Sequence, residues 1–199
     1  MAHVKPKPQK KEVKLNLGCG FYQLSPPWIN VDKFVPASDD VNFVEADVRE
    51  LPFEKDYADY IMIDNVLEHL PQSDVPVVLY EIRRVLKKGG KALIVVPDFN
   101  DIATIWQEYA KGNTYDHNTH KFFAEIIFGS QVHEGEYHKS AFYPPYLSSL
   151  LHSVGFHKQE LIAAPRGMKT SELKEFDGMR WGENTALRNA QILAIVTKE

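Results

Sequence analysis

The chain reads as an α/β protein with a mostly parallel sheet, and three observations predict this. Short apolar runs of strand length alternate with segments of helical periodicity along most of its 199 residues. The run Tyr60-Ile61-Met62-Ile63-Asp64 is almost continuously apolar, as in a strand covered on both faces. The run Val13-Lys14-Leu15-Asn16-Leu17 stops in the tight turn Gly18-Cys19-Gly20, where a parallel strand can open onto a ligand crevice.

Taken in order, Met1 to Glu12 are rich in Lys, Pro and Gln and read as a solvated, extended tail. Strands follow at Val13–Leu17, Trp28–Asp32 and Val41–Glu45, the third ending at Ala46-Asp47-Val48, and then at Tyr60–Asp64. Ser73-Asp74 start a helix with Val78, Ile82, Val85 and Leu86 at helical spacing. Lys87-Lys88-Gly89-Gly90 reads as its basic, glycine-capped end. Lys91–Val96 is a fifth strand stopped by Pro97. Residues 98–155 break the alternation and read as a lid or substrate insertion. It holds helices over 101–110 and 120–128, a polar loop with several histidines, and a helix from Pro144-Pro145 to near Gly155. Strands over 156–164 and 190–197 close the chain, with the polar stretch 165–189 left unassigned. Residues 13–199 are expected to form a single domain after the tail.

Composition narrows the partners. The formal net charge of −4 gives no footing for nucleic acid or an anionic membrane as the main partner. No apolar run approaches the roughly 20 residues of a membrane span, and the N-terminus lacks the apolar stretch of a signal peptide. Cys19 is the only cysteine, so no intrachain disulfide forms, and a reducing cytoplasmic setting is expected.

The first turn carries the chemistry. Gly18 and Gly20 let backbone approach a ligand with no Cβ between. Asp32, closing the second strand, can accept from two ribose hydroxyls. A dinucleotide fingerprint needs a third glycine, and Gln23 stands there. Phe21 to Pro27 is too short for a crossover helix, and Pro26-Pro27 would end one. A pyrophosphate wants a helix N-terminus. S-adenosylmethionine carries no phosphate and suits a glycine turn with a ribose acid, so the residues favour it over NAD.

These stretches resemble the class I S-adenosylmethionine-dependent methyltransferases, in particular small predicted methyltransferases with a shortened first crossover. The matching stretches are Leu15–Gly20, Trp28–Asp32, Asp47–Phe53, Asn65–Leu70 and Leu86–Gly90, with a weaker match through Gly135–Ser140 to Gly155-Phe156. The resemblance implies a Rossmann-like, seven-stranded, mostly parallel sheet with a reversed last strand and helices on both faces. It also implies cofactor contacts. The main chain of Leu17, Gly18, Cys19 and Gly20 would hold the methionine end, and Asp32 the ribose with Lys33 beside it. Asp47 would face the adenine amino group, the Val48 amide the ring edge, and the Asn65 backbone the methionine tail. Asn16 stands where the family often has an acid, so it would accept from the amino group without charge assistance.

His69, just after the fourth strand, and His138, in His138-Lys139-Ser140, are the candidate catalytic residues. An imidazole titrates near neutrality, which suits removing a proton from an acceptor. His117, His120, His133 and His138 lie with Glu134 and Glu136 in the insertion, and their spacing matches no recognised metal set, so they read as a polar lid and no metal is expected. Trp106, Tyr109, Phe122, Phe123 and Phe128 read as core of the inserted helices, and Arg180-Trp181 as surface. The expected activity is methyl transfer from S-adenosylmethionine to a small-molecule or glycan-like acceptor. The alternatives are a non-catalytic module that binds the same cofactor and, behind it, an NAD-dependent oxidoreductase.

Overall fold

The computed structural model describes residues 12–112, 116–163, 176 and 190–199. The readings placed on residues 1–11, on most of 165–189 and on Arg180-Trp181 lie outside the described residues. The sheet has seven strands: β1 (Lys14–Leu17), β2 (Trp28–Asp32), β3 (Asn42–Glu45), β4 (Ala58–Asp64), β5 (Leu86–Pro97), β6 (Lys158–Ala163) and β7 (Gln191–Thr197). Their order is β3-β2-β1-β4-β5-β7-β6. β1 to β5 run parallel, and β7 runs antiparallel to both of its neighbours. The reversed last strand is as the sequence suggested.

Alternation along the strands separates two cores. Leu15, Leu17, Ile61, Ile63, Ala92, Ile94 and Val96 belong to one face, packed under α1 (Val75–Val85) and α4 (Pro144–Ser153). α1 buries Val75, Val78, Leu79, Ile82 and Val85 as one stripe, with Pro76 in its first turn. Met62, Leu93, Val95 and Leu193 belong to the other face, packed with Trp28 and Phe176. Lys14 is buried there with its ammonium 5.4 Å from the Trp28 ring centroid and 5.6 Å from that of Tyr60.

Lys87–Gly90 is a correction. The helix ends at Val85, and Leu86 is already extended (φ −67°, ψ 134°) and paired with Ala58 in β5. The register then shifts so that Lys91 meets Tyr60. The glycines are held by the far end of the chain: Gly89 N donates to Lys198 O (2.8 Å) and Lys198 N to Gly90 O (3.1 Å). A long-range strand partner here outweighs the local capping signal.

Two helices of the insertion are α2 (Phe99–Lys111) and α3 (His117–Phe128). Asp98 caps α2 by accepting from Asn100 N. Phe123 is buried between Trp106 and Tyr109, as the sequence implied, whereas Phe128 is 56% exposed. Among the described residues, no α-helix lies between β1 and β4. The shortened first crossover is present, and the next two connections are helix-free as well.

Candidate cofactor cleft

The strand order reverses between β1 and β4, which leaves a crevice beyond their carboxyl ends. β1 delivers the glycine turn to it. Gly18 (φ +63°) and Gly20 (φ +51°) both occupy left-handed backbone. Gly18 N and Cys19 N donate to Val31 O at 2.7 and 3.2 Å, which ties the turn to β2. A Cβ at Gly18 would strike both Val66 methyls, whereas one at Gly20 would meet nothing.

Asp32 ends β2 and organises the rim. Its Oδ2 accepts from Gly20 N (2.9 Å), and its Oδ1 accepts from Phe34 N (2.7 Å) and Val35 N (3.3 Å). Each carboxylate oxygen offers about two acceptor sites, so Oδ2 keeps a lone pair for a ligand hydroxyl. The charge beside Cys19 adds to burial and pushes its thiol up to about 12.

Asn16 and Asn30 face each other in register on β1 and β2. Asn16 Nδ2 donates to Asn30 Oδ1 and to Tyr22 O, both at 3.0 Å. Asn30 exchanges two bonds with the Leu24 main chain. This buried amide pair fixes the short connection that replaces a helix, and it leaves Asn16 Oδ1 as that side chain's acceptor for a ligand. Sequence reading missed Asn30, although a polar residue inside an apolar strand demands a partner.

Asp47 stands after β3 and is fully engaged. Its Oδ1 accepts from Arg49 N and Nε, and its Oδ2 from Arg49 Nη2 (2.7 Å) and Lys33 Nζ (2.9 Å). The Arg49 guanidinium, chiefly, holds this carboxyl well below the usual carboxylate range. Arg49 also reaches Asp74 (2.8 Å) and was not singled out from the sequence. Lys33 lies over the Phe34 ring, 4.7 Å from its centroid.

β4 supplies the other wall. Asn65 is left-handed (φ +52°), a region that asparagine tolerates, and its N–H donates to Val95 O (3.0 Å). A 3-10 turn, Leu67–His69, follows. The resulting cleft has a volume of about 1090 Å³. Asn16, Gly18, Cys19, Gly20, Asp32, Lys33, Asp47, Val48, Asn65 and His69 all line it. Leu17 is fully buried beneath the turn, and His138 is not on the lining. Phe21, Tyr22 and Phe34 line the mouth at 82%, 71% and 58% exposure.

His138 stands beside His69, ring centroids 4.7 Å apart and nearly perpendicular. Its Nδ1 is 2.8 Å from Ile126 O. Burial pushes the His69 imidazole down to about 4, and that of His138 also falls. Glu68, under the same turn, is pushed up to about 8 by burial. The segment Tyr137–Ser140 straps over this turn, with Lys139 N and Ser140 N both donating to Glu68 O.

Comparison with known proteins agrees with this geometry. Residues 15–94 match the model of a family described as Methyltransferase domain. Among curated proteins, the chain is 31% identical over 101 residues to the ubiquinone/menaquinone biosynthesis C-methyltransferase UbiE of Rhizobium rhizogenes. That match covers 45% of this chain and 38% of the relative, so the chain spans well under half of the relative's length. A SAM-dependent methyltransferase from Archaeoglobus fulgidus superposes with a TM-score of 0.57 at 18% identity, covering 94% of this chain and 86% of that one. One from Methanosarcina mazei gives 0.57 at 16% identity, covering 96% and 93%. The sheet order, the glycine turn with its strand-end acid, and the matched segment lead to one conclusion: residues 15–94 are similar to the methyltransferase domain family, on a chain with the fold of S-adenosylmethionine-dependent methyltransferases.

Proposed function

We propose that this chain catalyses methyl transfer from S-adenosylmethionine to a small, ring-bearing acceptor. The observation that carries the reading is the convergence of Gly18–Gly20, Asp32 and Asn65 on a single cleft at the strand-order reversal. The residues fit the cofactor. The space beyond Gly20 is open, Asp32 keeps acceptor capacity for ribose hydroxyls, and Asn16 Oδ1 is available to an amino group. Asp47 fits the adenine amino group once Lys33, whose side chain is 39% exposed, swings away and returns a lone pair to Oδ2.

Bound there, the cofactor would supply an electrophilic methyl group on a positively charged sulfur. The protein's share is alignment and exclusion of water. Asp32 fixes the turn and the sugar, the Gly18–Gly20 main chain sets the depth of the tail, and Val48 and Leu70 line apolar wall. The exposed rings of Phe21, Tyr22 and Phe34 offer flat faces to an incoming ring at the mouth. Phenolic or quinol rings and sugar rings both suit such faces. The relatives named for quinone C-methylation favour the first class, and the expectation of a glycan-like acceptor stays within the second.

Calorimetry with S-adenosylhomocysteine tests the cofactor half of the reading. Labelled methyl transfer across a panel of phenols, quinols and saccharides tests the acceptor half. A folded protein that takes up no S-adenosylhomocysteine at saturating concentration overturns the proposal. Binding without transfer to any member of the panel favours the non-catalytic module.

A further inference from the structure

Three side chains converge at the cleft wall, one of them, His69, on its lining. Glu68 and His69 come from the 3-10 turn after β4, and His138 comes from the strap. One potential ligand atom from each lies within 4.8 Å of the other two. None of the three is paired away. A carbonyl only accepts, so the contact of His138 Nδ1 with Ile126 O (2.8 Å) puts the proton on Nδ1 and leaves the Nε2 lone pair free. His69 donates a ring N–H to the Tyr137 main chain, and its Nδ1 is buried with no partner. Glu68 is 2% exposed, and its Oε2 also has no partner.

A buried carboxyl can bring at most one proton to two imidazoles with open lone pairs, so at least one acceptor of the cluster stays unmatched, which folded proteins rarely leave uncompensated. A single cation would satisfy all three. We propose that Glu68, His69 and His138 form a binding site for a divalent cation of the zinc type. Two imidazole nitrogens and one carboxylate oxygen are a donor set that zinc accepts, with a fourth position left for water. Anchoring each ring by main chain at its other nitrogen is the supporting arrangement that metal-bound histidines use. Metal–ligand distances near 2.0–2.2 Å put neighbouring donors roughly 3–3.5 Å apart, so ion entry draws the strap inward. Because His138 also reaches α3 through Ile126, the ion staples the insertion to the end of the sheet. This differs from the sequence expectation, which read His138 as a base and no metal, because spacing in the chain gives no hint that Glu68 and His69 stand beside His138. The site rests on donor geometry and is independent of the methyl-transfer reading.

The test is titration of the full, metal-free chain with Zn²⁺, followed by calorimetry against a competing chelator and by thermal melting. Glu68→Gln and His138→Asn should each weaken binding by at least about tenfold and abolish the metal-induced rise in melting temperature. The double variant His117→Asn/His120→Asn should retain both. The Co²⁺ spectrum of the unmutated chain should show nitrogen and oxygen ligation, which keeps the proposal testable where a variant fails to fold. No uptake of Zn²⁺ by the folded chain, affinity unchanged in both ligand variants, or a thiolate-to-cobalt band from Cys19 overturns it. S-adenosylhomocysteine binding, measured in parallel, should survive Glu68→Gln and reports separately on the cofactor cleft.

Discussion

Gly18 and Gly20 both occupy left-handed backbone two residues apart, yet alanine should affect them differently. At Gly20 the new Cβ meets nothing within 4 Å, so the folded, ligand-free protein bears only the conformational cost of about 1–2 kcal/mol. At Gly18 the same cost applies, and the Cβ also drives into Val66, with Cγ1 at 2.9 Å and Cγ2 nearer still. Overpacking of that kind adds about 1–3 kcal/mol. Gly18→Ala should therefore melt about 2–12 °C below Gly20→Ala, at about 2–4 °C per kcal/mol for a chain of this size. Adding Val66→Ala removes both offending methyls, so in a double-mutant cycle the Gly18→Ala penalty should shrink to that of Gly20→Ala. Cofactor affinity should reverse the ranking, because the open space beyond Gly20 belongs to the cleft. Equal melting temperatures for the two single variants, or a Val66→Ala background that leaves the gap unchanged, would refute the packing argument.

Asp32→Ala should weaken S-adenosylhomocysteine binding by about 1.5–3 kcal/mol in calorimetry, the range for hydrogen bonds to a charged group; wild-type affinity in a folded variant removes Asp32 from the ribose. His138→Ala should leave that affinity unchanged, since its ring is off the cleft lining, and a large loss would show that the strap shapes the cofactor end. Cys19 should react with a neutral-pH thiol reagent at least about thirtyfold more slowly than free cysteine, because burial and the Asp32 charge push its thiol up to about 12; Asp32→Asn should speed it. Asp47 is depressed in the folded state, so its contribution is complete above the unfolded value near 3.9 and is lost as pH falls through the lower folded value. Arg49→Ala should move the Asp47 titration upward in NMR and make the acid loss of stability shallower.

The half of the molecule that holds the cleft was the more legible in sequence. Strand ends are marked by abrupt changes from apolar to glycine or acid, and Gly18-Cys19-Gly20, Asp32, Asp47 and Asn65 all reached one crevice. Patterns governed by partners far along the chain were misread or unseen. Lys87–Gly90 carries a good helix-end signal, but Lys198 captures it as extended chain. Arg49 looks like any surface cation until Asp47 and Asp74 close around it. Glu68 reads as an ordinary polar residue of a short turn, yet it is buried where Lys139 N and Ser140 N, far along the chain, donate to its carbonyl.

The bare connections between β1 and β4 also bear on how this protein can diversify. A crossover helix contributes to the core, so altering one disturbs the packing of its neighbours. Loops joined mainly by polar contacts can lengthen cheaply, at about 0.6 kcal/mol for each doubling. Phe21, Tyr22 and Phe34 all sit on such loops. The mouth of the molecule is thus its most rewritable part, since these segments can change over an unaltered sheet.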